Sequence, residues 1–178
     1  MVKKILNVQD PRLRQKSKPV EKIDKKILRL IDDMEKTLVA QKDPEGVGLA
    51  APQVGEFLQI FVMRHKGKIQ PVINPEIVKK SRETNEPPKE QEEGEYIMEG
   101  CLSLPHYYGP VERSVSVELR YLRPDGTKKN EEFRGFPAQI VQHEVDHLNG
   151  VIFVDRLLQQ KRPLYELRNN EWQEVELP

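Results

Sequence analysis

Between residues 22 and 41 the apolar side chains Ile23, Ile27, Leu30, Ile31, Met34 and Leu38 return at steps of three and four with charges between them. This spacing predicts an amphipathic helix, and Pro44 and Gly46 end it. Two runs of β-branched and aromatic residues follow, 57–63 and 72–78, separated by a charged turn over 64–68, so a hairpin-like pair is expected. Residues 115–122 alternate Val115, Val117, Leu119 and Tyr121 with Ser116, Glu118 and Arg120. Pro124-Asp125-Gly126 then turns the chain into a further strand over 128–133. Residues 137–149 read as a second helix, with Pro137 suited to its first turn and Gly150 to its stop. In the non-helical tail, 160–178, the runs 164–167 and 172–177 flank Asn169-Asn170 as a small terminal hairpin. Residues 79–94 are polar, Glu-rich and interrupted by Pro87-Pro88, which marks a surface insertion.

Size and charge narrow the picture. A chain of 178 residues fits one domain on the usual scale of roughly 150 residues each. Lys plus Arg and Asp plus Glu both number 29, so no net field implies sequence-specific nucleic-acid binding. The balance hides an asymmetry: residues 1–30 carry ten Lys or Arg against three acids, and 81–100 carry seven Glu against Arg82 and Lys89. Both runs read first as solvated faces. Asp10, Arg12 and Arg14 interrupt the N-terminal apolar residues before a signal segment or membrane span could form, so a soluble cytoplasmic protein is expected. The single cysteine, Cys101, rules out a disulfide within the chain and agrees with a reducing compartment.

Chemistry concentrates in the second helix, at His143-Glu144-Val145-Asp146-His147. Residues four apart on a helix differ by about 40° in azimuth and about 6 Å along the axis, so His143 and His147 can share one metal ion. Glu144 follows the first histidine and can reach a metal-activated water as its base. Phe136 and Ile140 precede His143 on the same face and form an apolar wall suited to a linear hydrophobic side chain. Two histidines are one ligand short of a usual catalytic site. Downstream only Asp155, Glu166, Glu171, Glu174 and Glu176 are available, whereas upstream stands Cys101, in Glu99-Gly100-Cys101-Leu102-Ser103. A lone cysteine is often plain core. Here Gly100 and Ser103 point to an accessible turn.

Gly46-Val47-Gly48-Leu49-Ala50-Ala51-Pro52-Gln53, Glu99-Gly100-Cys101-Leu102-Ser103 and Gln142-His143-Glu144-Val145-Asp146-His147-Leu148 together resemble, in order, the three signature motifs of peptide deformylase. With the Asp10-Pro11-Arg12-Leu13-Arg14 stretch, the resemblance covers residues 5–155. It implies an α+β fold in one catalytic domain over 1–178, with antiparallel or mixed sheets packed around a central metal-ligating helix and an N-terminal amphipathic helix. It also implies removal of the formyl group from the initiator methionine of nascent chains, releasing formate. Carried over, the metal ligands fall on Cys101, His143 and His147, and the catalytic glutamate on Glu144. The oxyanion donors fall on the Gln53 amide and the Leu102 backbone N–H. Val47 and Gly48 match the strand that pairs with the substrate, and Ile97, Glu99, Gly100, Leu102, Phe136 and Ile140 match positions around the methionine. One divalent ion is implied, Fe2+ expected, with Zn2+, Ni2+ or Co2+ as replacements. N-formylmethionyl peptides are the implied substrates, with transient ribosome association and no membrane.

Three points stay open on the sequence. Tyr108 stands where relatives often place a substrate-contacting arginine. Arg113 can pair with Glu99, either as a structural ion pair or for substrate. Asp146 reads equally as a support for the ligands or a solvated charge. The competing readings are a zincin-like metallopeptidase, which needs a third ligand other than Cys101, and a non-catalytic module docking on the ribosome through the basic N-terminal run.

Overall fold

The computed structural model describes residues 1–86 and 97–177, and its elements follow from local chemistry. Asp24 begins the first helix: its carboxylate accepts from the Ile27 N–H at 3.0 Å, so α1 spans Lys25–Ala40 and Ile23 packs just outside it. Then come β1 (Gly48–Ala50), a tight helical turn at Ala51–Val54, β2 (Ile60–His65) and β3 (Lys68–Lys80). The β2–β3 turn is only two residues, Lys66 and Gly67, both at positive φ (50° and 73°), as a twisted hairpin requires. After β4 (Glu99–Cys101) and β5 (Leu104–Gly109), β6 (Ser116–Leu122) and β7 (Lys128–Arg134) form the expected hairpin. Helices α2 (Phe136–Leu148) and α3 (Phe153–Gln160) precede the terminal hairpin of β8 (Leu164–Arg168) and β9 (Glu171–Val175). Asn169 and Asn170 both take positive φ in its turn.

The strands make two antiparallel sheets, β1-β2-β3-β6-β7 and β4-β5-β8-β9, in one α+β domain. β2 explains the architecture. Ile60 and Val62 face α1, while Phe61 and Met63 face α2, so the strand is covered on both sides and reads as a continuous apolar run. Helix α2 is enclosed in turn. One side carries Ala138, Ile140, Val141 and Leu148 against the first sheet, and the other meets the α3 side, where His143 lies against Phe153 at 6.2 Å between ring centroids. A helix whose every turn is buried can place polar side chains in a dry site.

Three expectations need correction. The polar stretch 79–94 does not start as a loop, because β3 continues through Lys80. Its next residues are tied down by Ser81 N–H to Ser116 O (3.0 Å) and Asn85 N–H to Arg113 O (2.9 Å), while 87–94 lies outside the described residues. β4 and β5 carry no clear hydrophobic period and were not foreseen. α3 was not foreseen either, although Phe153, Val154, Leu157 and Leu158 recur at helical spacing over its eight residues; its start is fixed by a local device, the Asp155 carboxylate accepting from the Ile152 N–H at 2.9 Å. Finally, Cys101 is not in an accessible turn. It ends β4, 8% exposed, because the polar neighbour taken as a sign of solvent, Ser103, is itself buried and accepts from Gln53 Nε2 at 3.1 Å. Among the described residues no helix is long and apolar enough to cross a membrane.

Candidate metal centre

Cys101, His143 and His147 each offer a ligand atom, and the three lie within 4.8 Å of one another, all buried. They come from two elements: the helix period brings His143 and His147 together, with ring centroids 4.9 Å apart, and the end of β4 carries Cys101 Sγ to 3.3 Å from His147 Nε2. The downstream acids are placed otherwise. Asp155 pairs with Arg14 and holds the start of α3, and the hairpin glutamates lie outside the donor cluster.

Behind His143 runs a buried chain of alternating charges. His143 Nδ1 meets Glu99 Oε1 at 2.5 Å, leaving Nε2 to face the donors. Arg113 holds Glu99 with two nitrogens, Nε at 3.0 Å and Nη2 at 2.5 Å, and Asp146 with Nη1 at 2.6 Å. Asp146 then takes Arg156 from α3 at 2.7 and 3.0 Å. Asp146 is therefore a buried support, and Arg113 a structural ion-pair partner of Glu99. Glu99, expected on the substrate side, lines the cavity in front of the donors while its carboxylate is committed to Arg113 and His143. Arg156 was not singled out from the sequence, since an arginine beside the apolar positions of a short helix carries no signal of its own.

The electrostatics favour a cation among the donors. Burial would raise the Cys101 thiol, but His147 and His143 beside it bring it down to about 5. Burial would lower the His143 imidazole, yet Glu99 holds it well above its usual value. Glu99 itself, despite burial, is held to about 2 by Arg113 and His143. The site thus prefers a thiolate and draws positive charge to it. Glu144 behaves in the opposite way: burial pushes it up to about 7 against the pull of His143 and His147, and its Oε2 is buried with no hydrogen-bond partner among the described residues. A buried carboxylate oxygen left open beside three ligand atoms fits a metal with an attached water. The soft sulfur and two imidazoles suit zinc, iron, nickel or cobalt rather than magnesium or calcium.

These groups open onto a cavity of about 240 Å³ lined by Cys101, His143 and Glu144 on one wall and by Val47, Ile97, Leu102, Phe136 and Ile140 around it. Its volume suits one linear apolar side chain rather than a folded partner. Gln53 also lines it, and the amide is held in one orientation: Oε1 accepts from the Ala50 N–H at 2.9 Å, so Nε2 must face Cys101 Sγ (3.5 Å) and Ser103 Oγ (3.1 Å). The N-terminal segment fastens both halves of this wall, with Leu6 N–H on Gln53 O at 2.8 Å and Val8 N–H on Ser103 O at 3.0 Å. Sequence periodicity had not assigned that segment a role.

Two sheet edges meet at the cavity. β1 and β4 are edge strands of different sheets, and Gly48 and Gly100 both line it. Val47 O accepts from Arg64 N–H across β1–β2 (2.8 Å), and the Ala50 N–H turns the other way to Gln53, so alternation leaves the Gly48 N–H and C=O on the open edge. The absence of a side chain at Gly48 is required, because a Cβ there would run into the Glu144 carboxylate, with Cδ at 2.9 Å, and would stand 3.1 Å from Ile140 Cγ2. Tyr108, at the position where relatives often place a substrate-contacting arginine, lines it as well, as does Glu99; Pro44, Glu45, Met98 and Gln139 complete the lining and were not foreseen there.

Comparison with known proteins is consistent with this arrangement. The family model described as Polypeptide deformylase matches residues 2–163. The peptide deformylase of Pseudothermotoga lettingae is 46% identical over 162 residues, covering 91% of this chain and 86% of that protein, and that of Agrobacterium fabrum is 41% identical over 168 residues, covering 92% and 91%. Among solved structures, the Thermotoga maritima peptide deformylase superposes with a TM-score of 0.77 at 39% identity, covering 88% of this chain and 97% of the other. That of Ehrlichia chaffeensis superposes with a TM-score of 0.78 at 35% identity, covering 90% of each.

Proposed function

The chain belongs to the polypeptide deformylase family and removes the formyl group from nascent peptides, and from that premise we propose how its own residues do so. Cys101, His143 and His147 hold one divalent ion, Fe2+ by preference with Zn2+, Ni2+ or Co2+ able to replace it. When bound, the ion supplies Lewis-acid activation of water at neutral pH. The peptide adds as a strand between the open edges at Gly48 and Gly100, using main-chain hydrogen bonds that any sequence can make. Specificity comes from the methionine side chain, which enters the apolar cavity between Val47, Ile97, Leu102, Phe136 and Ile140. Water adds to the formyl carbon, and Gln53 Nε2 and the Leu102 backbone N–H donate to the formyl oxygen as charge develops on it. Glu144 takes the proton of that water and returns it to the peptide nitrogen as the C–N bond breaks, giving formate and a free amine. We further propose that this single catalytic domain works in the reducing cytoplasm, in transient association with ribosomes where its substrates emerge.

The observation that carries this reading is the buried thiol and imidazole donor set next to Glu144 Oε2, on the wall of an apolar cavity between two open strand edges. Cys101→Ser tests it. The bound metal, measured by elemental analysis of purified protein, is expected to fall well below that of the parent chain, with formate release from formyl-Met-Ala falling alongside. Full metal retention would remove Cys101 from the ligand set and return the site to a peptidase-like design with another third ligand.

Gly48→Ala tests the close approach at the open edge. The added methyl displaces the Glu144 carboxylate, and a misplacement of about 1 Å at a reacting group typically costs on the order of 10²-fold. The expected result is a fall of that size in kcat with thermal stability little changed, since β1 keeps its pairing to β2.

A further inference from the structure

Trp172 lies outside the machinery assigned above, and it packs on Tyr108 of the cavity wall. Register puts them on one surface. Gly100 is opposite Tyr108, Tyr108 opposite Tyr165, Tyr165 opposite Glu174, and Leu167 opposite Trp172, so all of these side chains project from the same face of the second sheet. The other face carries the paired Leu164 and Val175 into the core around α3. The Tyr108 ring leans across the edge strand: a Cβ on Gly100 would lie 2.6 Å from its Cδ1 and Cε1. Trp172 stands edge-to-face against that ring at 5.4 Å and 87°, and it is 51% exposed.

A single exposed aromatic needs no explanation. Trp172 differs because the ring it touches is itself part of the cavity wall. We propose that Tyr108 and Trp172 form an aromatic shelf for side chains that follow the methionine of the substrate, so that the C-terminal hairpin helps to choose which nascent peptides bind best. The inference rests on the peptide lying along the open edge at Gly100. A strand added there runs two strand spacings, about 9.6 Å, from β5, and the leaning Tyr108 ring covers much of that gap. Successive side chains of such a strand point to opposite faces, so one of the first residues after the methionine projects over the face that carries the shelf. Glycine at position 100 keeps the approach clear, and Trp172 both holds the Tyr108 ring from behind and extends its apolar surface.

The test compares formyl-Met-Ala with formyl-Met-Ala-Phe and formyl-Met-Phe-Ala on the metal-loaded enzyme. At least one aromatic tripeptide is expected to show a KM roughly 2- to 10-fold lower than formyl-Met-Ala, the scale of one aromatic contact, with kcat unchanged. Trp172→Ala abolishes that advantage and leaves formyl-Met-Ala kinetics as they were; Trp172→Phe restores most of it. Trp172 is the only tryptophan in the chain, so its emission reports binding directly. In metal-loaded Glu144→Gln protein the emission changes on titration with the preferred tripeptide and not with formyl-Met-Ala. A KM advantage that survives Trp172→Ala, or emission indifferent to both tripeptides, overturns the proposal. Failure of the parent enzyme to turn over formyl-Met-Ala would overturn the substrate assignment on which it rests, and the dipeptide arm separates the two.

Discussion

Glu144→Gln lowers deformylation by roughly 10²–10⁴-fold, the range for loss of a positioned general base, and leaves the metal in place. The substitution is close to isosteric and keeps one carbonyl oxygen, so the space beside Gly48 and Ile140 is filled as before. What changes is proton capacity. The parent carboxylate is buried, its Oε2 has no partner among the described residues, and burial lifts its pKa to about 7, where it can both accept and return a proton near neutrality. An amide can do neither. His143 and His147 owe their placement to the helix and to Glu99 rather than to Glu144, so metal content stays at the parent level, and KM for formyl-Met-Ala moves much less than kcat. The check is formate release measured on samples whose metal content is determined in parallel. Near-parent turnover at full metal occupancy would assign the proton transfer to another group.

How much of this was legible beforehand depends on the range of the interactions involved. The helix ligands were readable because a period of 3.6 places His143 and His147 on one side whatever surrounds them. The outline of the first sheet was readable because Val117, Leu119 and Tyr121 alternate, and because β2 is apolar on both faces. Residue types around Cys101 were misleading: a glycine and a serine resemble an exposed turn, yet Ser103 is satisfied inside by Gln53, fifty residues away. β4 and β5 could not be read from their own residues, since Glu99-Gly100-Cys101 is held by pairing with β5 and by the Arg113 network rather than by any apolar pattern. Asp146 was undecidable for the same reason. An acid on a helix is solvated or buried according to which arginines arrive, and Arg113 and Arg156 come from a loop and from the next helix. The family resemblance supplied the roles of Cys101 and Gln53, and the structure supplies the physical reason why Gln53 presents its amide nitrogen.

Arg113→Met is the substitution with the largest expected effect on stability. Arg113 and Glu99 side chains are each 5% exposed and Asp146 11%, so removal of the guanidinium leaves two buried carboxylates short of a cation: Glu99 keeps only His143, and Asp146 keeps only Arg156 among the described cations. Breaking a buried pair from one side typically costs about 3–5 kcal/mol. The pH dependence separates this cause from simple loss of packing. In the parent, Glu99 sits at about 2, below its ordinary 4.5, so its contribution is present above about 4.5 and is lost as pH falls through about 2. Without Arg113, burial is opposed by His143 alone, so Glu99 takes up a proton more readily than in the parent, and the advantage of the parent shrinks as pH falls. The deficit, measured by denaturant unfolding, is therefore largest at neutral pH and narrows as pH falls below about 4.5. A packing defect would give the same deficit at every pH. The site responds too, because a protonated or displaced Glu99 no longer orients His143 through Nδ1. Loss of such a supporting contact typically weakens metal binding by about 10–100-fold, which chelator competition reads independently of turnover. Arg156→Met makes the control: Arg156 is 34% exposed and Asp146 keeps Arg113, so both the stability loss and the metal effect are smaller. Equal effects of the two substitutions would mean that Asp146, rather than the contact of Glu99 with His143, carries the connection to the metal site.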